Sequence, residues 1–144
     1  MSALFPYIVT ILIAWFSAQA LKYIVSGFKR RNFKESLGQL YLSGDMPSAH
    51  SATVVSLLVL IGFHEGFGSA IFGLAALFSA IVMYDAMMVR RSSGEQGRAL
   101  TQLLIATKSN IKLPRVAKGH TPSEVAAGAI LGLFIGIIVI LATA

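Results

Sequence analysis

Residues 119–144 read GHTPSEVAAGAILGLFIGIIVILATA. From Val125 to the last residue there is no charged side chain, and an apolar run of about 20 residues crosses the hydrocarbon core of a bilayer as one helix. The start of that helix is marked. Thr121-Pro122-Ser123-Glu124 is a T-x-x-E sequence with proline at the first helical position, the composition of a capping box. Gly128, Gly132 and Gly136 recur every fourth residue. Small residues at that spacing let a second helix come close; the second span is the expected partner, and the spacing leaves open a contact within the chain or across a dimer. One residue before the cap stands His120, a titratable group at the mouth of a membrane helix.

The same order of residues occurs earlier. DMPSAHSATVVSLLVLIG, residues 45–62, again runs proline, serine, histidine and then an apolar helix. Around these two stretches the composition is that of a membrane protein: 56% of residues are hydrophobic and 12% charged, about half the charged share of a soluble domain. Residues 1–21 carry no charge, and between His50 and Asp85 the one charged residue is Glu65. In lipid each segment must satisfy its own backbone groups, so helices are expected. The reading is all-α: an integral membrane bundle of four transmembrane helices at about 4–27, 47–63, 69–88 and 121–144. The 144 residues suffice for one domain. Gly66 and Gly68 mark a tight turn between spans two and three. Leu100, Leu103, Leu104 and Ile111 recur at roughly helical spacing among polar residues, which predicts an amphipathic helix in the loop between spans three and four. No cysteine is present, which excludes disulfides and thiolate metal sites. The N-terminus has no basic region before its apolar run and does not read as a cleavable signal.

Four spans put both termini on one side and the loops at 28–46 and 89–120 on the other. All twelve Lys and Arg belong to that second side; the opposite turn carries His64 and Glu65 and no Lys or Arg. The positive-inside rule places the basic side in the cytoplasm. The topology also brings the end of span one, the start of span two, the end of span three and the start of span four to one membrane face. The residues there are Lys22; Ser48 and His50; Asp85, Arg90 and Arg91; and Arg115, Lys118, His120 and Glu124.

Each of these has an ordinary structural explanation. Glu124 completes a capping box, Ser48 caps the helix begun by Pro47, Lys22 can snorkel from a span end, and Arg30 and Arg31 serve topology. His64 lies in the opposite turn and is given no role. The combination asks for more. Two helix N-termini offer free N–H groups and a positive dipole end, and arginines add permanently charged donors. A histidine can attack phosphorus or protonate a leaving oxygen. Glu124, one helical turn beyond His120, is placed to hold its far nitrogen. The set suits phosphoryl transfer through a phosphohistidine.

Pro47-Ser48-Ala49-His50-Ser51 resembles the P-S-G-H motif of the type 2 phosphatidic acid phosphatase superfamily, which includes the vanadium haloperoxidases. Residues 119–128, GHTPSEVAAG, resemble its third motif, where His is followed four residues later by Asp and four later again by Gly. Nearly the whole chain, including Val82-Met83-Tyr84-Asp85-Ala86 and Val89-Arg90-Arg91-Ser92-Ser93-Gly94, looks like the small divergent branch of that superfamily. The resemblance implies a single membrane-embedded phosphatase-like domain. It implies His120 as nucleophile, Glu124 as its orienting partner and His50 as general acid. Ser48 and the Ala49 amide would hold phosphate oxygens, and Lys22 would match the first-motif lysine. The first motif is altered: the residue seven after Lys22 is Lys29, and no proline follows Arg30. The usual Ser-Arg before the third-motif histidine is missing, and Arg115 lies one residue closer than the pattern. Arg90 and Arg91 are therefore candidate replacements, with Asp85 to orient one of them.

The function so implied is hydrolysis of a lipid phosphate or prenyl (di)phosphate in a bacterial-type plasma membrane. No cofactor is expected. Asp45, Asp85 and Glu124 leave room for a Mg²⁺ site, which ranks lower because the resemblance implies metal-independent chemistry. A homodimer could supply packing that larger, six-helix relatives have within one chain. No nucleic-acid partner is expected. The rival readings are a non-enzymatic protein that binds or moves anionic lipids and, last, a vanadate-dependent oxidant.

Overall fold

The computed structural model describes residues 5–30, 46–114, 116 and 118–143. These fold into helices α1 (Phe5–Arg30), α2 (Ala49–Glu65), α3 (Ala70–Tyr84), α4 (Arg90–Ala106) and α5 (Pro122–Thr143), with a π-helical turn at Asp85–Val89 joining α3 to α4. Three helical stretches, Phe5–Lys29, Ala70–Ala106 and Pro122–Thr143, are long and apolar enough to cross a membrane, and α2 is a shorter apolar helix of 17 residues. The molecule is an all-helical membrane bundle.

α2 is the central helix, packed against α1, α3 and α5. Its buried face is made of small side chains, Ser51, Ala52 and Ser56, followed by Leu60 and Ile61. The glycine stripe of α5 lies against this face. A Cβ at Gly128 would collide with the Ser48 carbonyl, one at Gly132 with the Ala52 carbonyl, and one at Gly136 with the Val59 side chain. The expected contact between spans two and four thus has its partner within the chain. Below it, Ala14, Leu60, Ile135 and Val139 form a buried cluster.

α1 packs through Thr10, Ala14 and Ala18, all fully buried and four residues apart. The same stripe continues to Lys22 and Ser26, which are 6% and 4% exposed. That register turns Lys22 inward. The opposite faces of α1, α3 and α5 expose Phe16, Ile24, Leu74, Leu77, Phe134, Ile138 and other large apolar residues, as expected where lipid is the solvent.

At the far end Tyr7 Oη donates to Glu65 Oε1 at 2.8 Å, tying the start of α1 to the end of α2. The turn beyond it depends on Gly66, whose φ of 88° lies in the region that side chains avoid. Ser69 then caps α3, its Oγ accepting from the Phe72 N–H at 3.2 Å. At the other end the amphipathic helix expected in the loop after span three is α4. It does not start afresh after a loop but continues span three through the π turn. The reason is local: no proline or glycine interrupts residues 85–91, and the Arg90 N–H bonds the Asp85 carbonyl, so the chain stays helical with one extra residue in the turn.

Candidate active site

The site is built where the starts of α2 and α5 meet the end of the span-three helix. α5 opens with the capping box read from the sequence. The Thr121 N–H donates to Glu124 Oε2 at 2.9 Å, and the Glu124 N–H reaches Thr121 Oγ1 at 3.4 Å. Glu124 Oε2 also lies 3.2 Å from His120 Nδ1. A carboxylate only accepts, so Nδ1 carries the proton and Nε2 of the neutral ring keeps its lone pair.

Backbone contacts hold His120 in place. Its N–H donates to the Ala86 carbonyl at 3.0 Å. Ala86 belongs to the π turn, where the α-helical pattern of bonding is interrupted. Gly119 permits the approach, because a Cβ there would run into the backbone of Arg91. The two histidine-bearing motifs are joined directly: the Ser48 N–H donates to the Glu124 carbonyl at 3.0 Å.

His120 is 4% exposed. Burial pushes its pKa below the ordinary imidazole value; the hydrogen bond and charge of Glu124 pull the other way, and the charges of Lys22 and Arg90 add to the lowering. His50, the second residue of α2, is exposed, and the titratable and charged groups acting on its ring are Arg90, His120, Lys22 and Asp85. Lys22, His50, Asp85, Arg90, His120 and Glu124 therefore sit within electrostatic reach of one another.

The arginines divide. Arg90 Nε bonds Asp85 Oδ2 at 2.7 Å, across the π turn. Arg91 Nε pairs with Glu95 Oε1 at 3.3 Å on the exposed side of α4. Consecutive helical residues point about 100° apart, so of the two Arg90 is the one whose charge reaches both rings. Arg115 lies outside the described residues. Ser48 is fully buried as the N-cap of α2, with its Oγ accepting from the Ser51 N–H at 3.3 Å and from Ser51 Oγ at 3.0 Å. Ala49, next to it, is partly buried at the first turn. Of the acidic residues considered for Mg²⁺, Asp45 lies outside the described residues, Asp85 is engaged by Arg90 and Glu124 by His120 and Thr121. Among the described residues no three metal-ligating side chains converge.

Sequence reasoning missed the parts played by Gly119 and Ala86. The pairing of glycine with the following histidine was visible, but nothing in residues 85–89 announces a π turn.

Comparison with known proteins agrees with this architecture. The chain is 31% identical over 136 residues to the uncharacterized membrane protein YuiD of Bacillus subtilis (strain 168), covering 84% of this chain and 85% of that one. No solved structure matches the chain. A family model described as the divergent PAP2 family matches residues 5–135, a stretch that holds both histidine motifs, the π turn and the first two glycines of the stripe, and the chain belongs to that family.

Proposed function

We propose that this protein is a membrane phosphatase that hydrolyses a lipid phosphate or prenyl (di)phosphate. The observation that carries the reading is the His120–Glu124 pair at 3.2 Å, buried on the same membrane face as His50. The lone pair of His120 Nε2 attacks phosphorus as the bond from phosphorus to the lipid oxygen breaks. His50, protonated, gives its proton to the leaving alkoxide. Water then attacks the phosphohistidine, His50 takes the water proton, the phosphorus–nitrogen bond breaks and phosphate leaves. Lys22 and Arg90 neutralise the charge that builds on the phosphoryl oxygens, where most of the rate for such a transfer originates. The lipid tail enters sideways between helices, and the basic side faces the cytoplasm of a bacterial-type membrane. Asp85 is a positioning residue for Arg90.

The burial of Ser48 favours a second reading, an anionic-lipid binding or translocating protein, since a phosphatase of this pattern would use that hydroxyl on phosphate. Purified protein assayed against phosphatidate, phosphatidylglycerophosphate and undecaprenyl (di)phosphate separates the two. Phosphate release that disappears in His120→Ala, with an acid-labile phosphoenzyme in the wild type, supports hydrolysis. Lipid binding without release supports the second reading, and near-wild-type release by His120→Ala dismisses the mechanism.

A further inference from the structure

A cleft of about 540 Å³ opens between the last turns of α1 and the first turn of α5, lined among others by Ser26, Lys29, Lys118, Thr121, Ser123 and Glu124. Ser26 is 4% exposed, and among the described residues its Oγ has no hydrogen-bond partner. Other helical hydroxyls of this protein are satisfied by the carbonyl four residues back, as at Thr10, Thr53, Thr101 and Thr143. A buried hydroxyl left unpaired is costly and calls for an explanation.

The cleft is not the place of attack in the proposed reaction. His120 is held through Nδ1 by Glu124, so Nε2 points away from that carboxylate, whereas Glu124 itself lines the cleft. The lining chemistry is mixed in an informative way. Two ammonium groups and the positive end of α5 favour an anion, and the hydroxyls of Ser26, Thr121 and Ser123 can donate to its oxygens. The Glu124 carboxylate repels a bare anion but accepts from a hydroxyl. A phosphate group that also bears a hydroxyl meets both demands: hydrogen phosphate, or a phosphate with a glycerol-type head. Along α1, Ser26 follows Lys22 by one turn, so the cleft adjoins the lysine whose charge acts on both histidines.

We infer that the cleft around Ser26 and Lys118 is a second anion-binding subsite, for a phosphate group bearing a hydroxyl, separate from the position in front of His120 Nε2. This goes beyond the phosphatase reading, and its test reads binding rather than turnover. Full-length protein in phosphatidylcholine nanodiscs is titrated with inorganic phosphate by calorimetry. Ser26→Ala and Lys118→Gln should each weaken a phosphate-binding event about tenfold, the loss expected for one charge-assisted contact. Lys118→Arg should restore it, and His120→Asn should keep it. Sulfate, fully deprotonated at neutral pH, should bind more weakly than phosphate. Nanodiscs carrying phosphatidylglycerol identify the source: loss of phosphate binding there points to a lipid headgroup that occupies the subsite, and undiminished binding points to free phosphate. Equal phosphate affinity in wild type, Ser26→Ala and Lys118→Gln, or loss of all binding in His120→Asn alone, would overturn the subsite.

Discussion

His120 combines a buried imidazole with one carboxylate partner, and those two influences on its proton oppose each other. Burial lowers the pKa and Glu124 raises it. Removing the carboxylate with Glu124→Gln leaves burial unopposed, so the pKa falls further and the ring stays neutral to lower pH. The acid limb of the kcat/KM profile should therefore move to lower pH, while the plateau drops about 10- to 100-fold through lost orientation. An acid limb that moves up or stays put would show that the carboxylate does not govern the reacting ring. The same shift has a consequence for stability. Unfolded His120 takes a proton near pH 6.5, and folded His120 does so only at lower pH. Its contribution is complete above that value and is lost as pH falls through the window below it. The neighbouring arginines supply a second test at this scale. Arg90→Gln should lower kcat/KM about 10- to 100-fold, as for a charge-assisted contact, and Arg91→Gln should change it little, because Arg91 is engaged with Glu95 at the exposed surface. Equal losses would mean that both guanidinium groups reach the substrate. The choice between these two was not legible in the sequence. Adjacent arginines look alike until the helix that carries them is continuous and its phase is known.

At the scale of elements, the α2–α5 contact decides how the two histidine motifs meet. Ser48 N–H bonds the Glu124 carbonyl only because Gly128 and Gly132 let the backbones touch. Gly132→Ala places a methyl group on the Ala52 carbonyl, whereas the space beside Gly73 is open. Overpacking of this kind costs about 1–3 kcal/mol. Gly132→Ala should lower the unfolding temperature in detergent, and Gly73→Ala should leave it unchanged or raise it. A Gly132→Ala protein as stable as wild type would mean that the helices are not in backbone contact. This face could be read from the sequence, since glycines four apart in an uncharged run state their purpose by spacing alone. The capping box at Thr121–Glu124 was legible for the same reason: local chemistry suffices to form it. The π turn was not, because it arises where α3, α4 and the His120 backbone compete for the same carbonyls. The inward turn of Lys22 was only half legible. Its spacing from Thr10, Ala14 and Ala18 is in the sequence, but burial of a lysine reads first as an anchor at the membrane surface.

For the whole molecule the decisive quantity is which side of the bilayer the histidines face. Residues from the second half of α1, the start of α2, the π turn and the start of α5 assemble at one end of the bundle. Tyr7, Glu65, His64 and the Gly66 turn assemble at the other. Charge separates these ends more sharply than packing does, since among the described residues Lys22, Arg90, Arg91 and Lys118 belong to the histidine end and the Gly66 turn carries no Lys or Arg. On the proposed reading, insertion with that side in the cytoplasm draws the lipid phosphate from the inner leaflet, and the reverse insertion draws it from the outer leaflet. The protein has no cysteine, so single-cysteine variants report without background. Gly68→Cys occupies open space in the turn between α2 and α3, and Arg98→Cys lies on exposed α4. A membrane-impermeant maleimide should label Gly68→Cys in intact cells and Arg98→Cys only after the membrane is opened. The opposite pattern would move the site to the outer surface. It would also show that the basic residues are concentrated there for binding phosphate, strongly enough to override their usual effect on insertion.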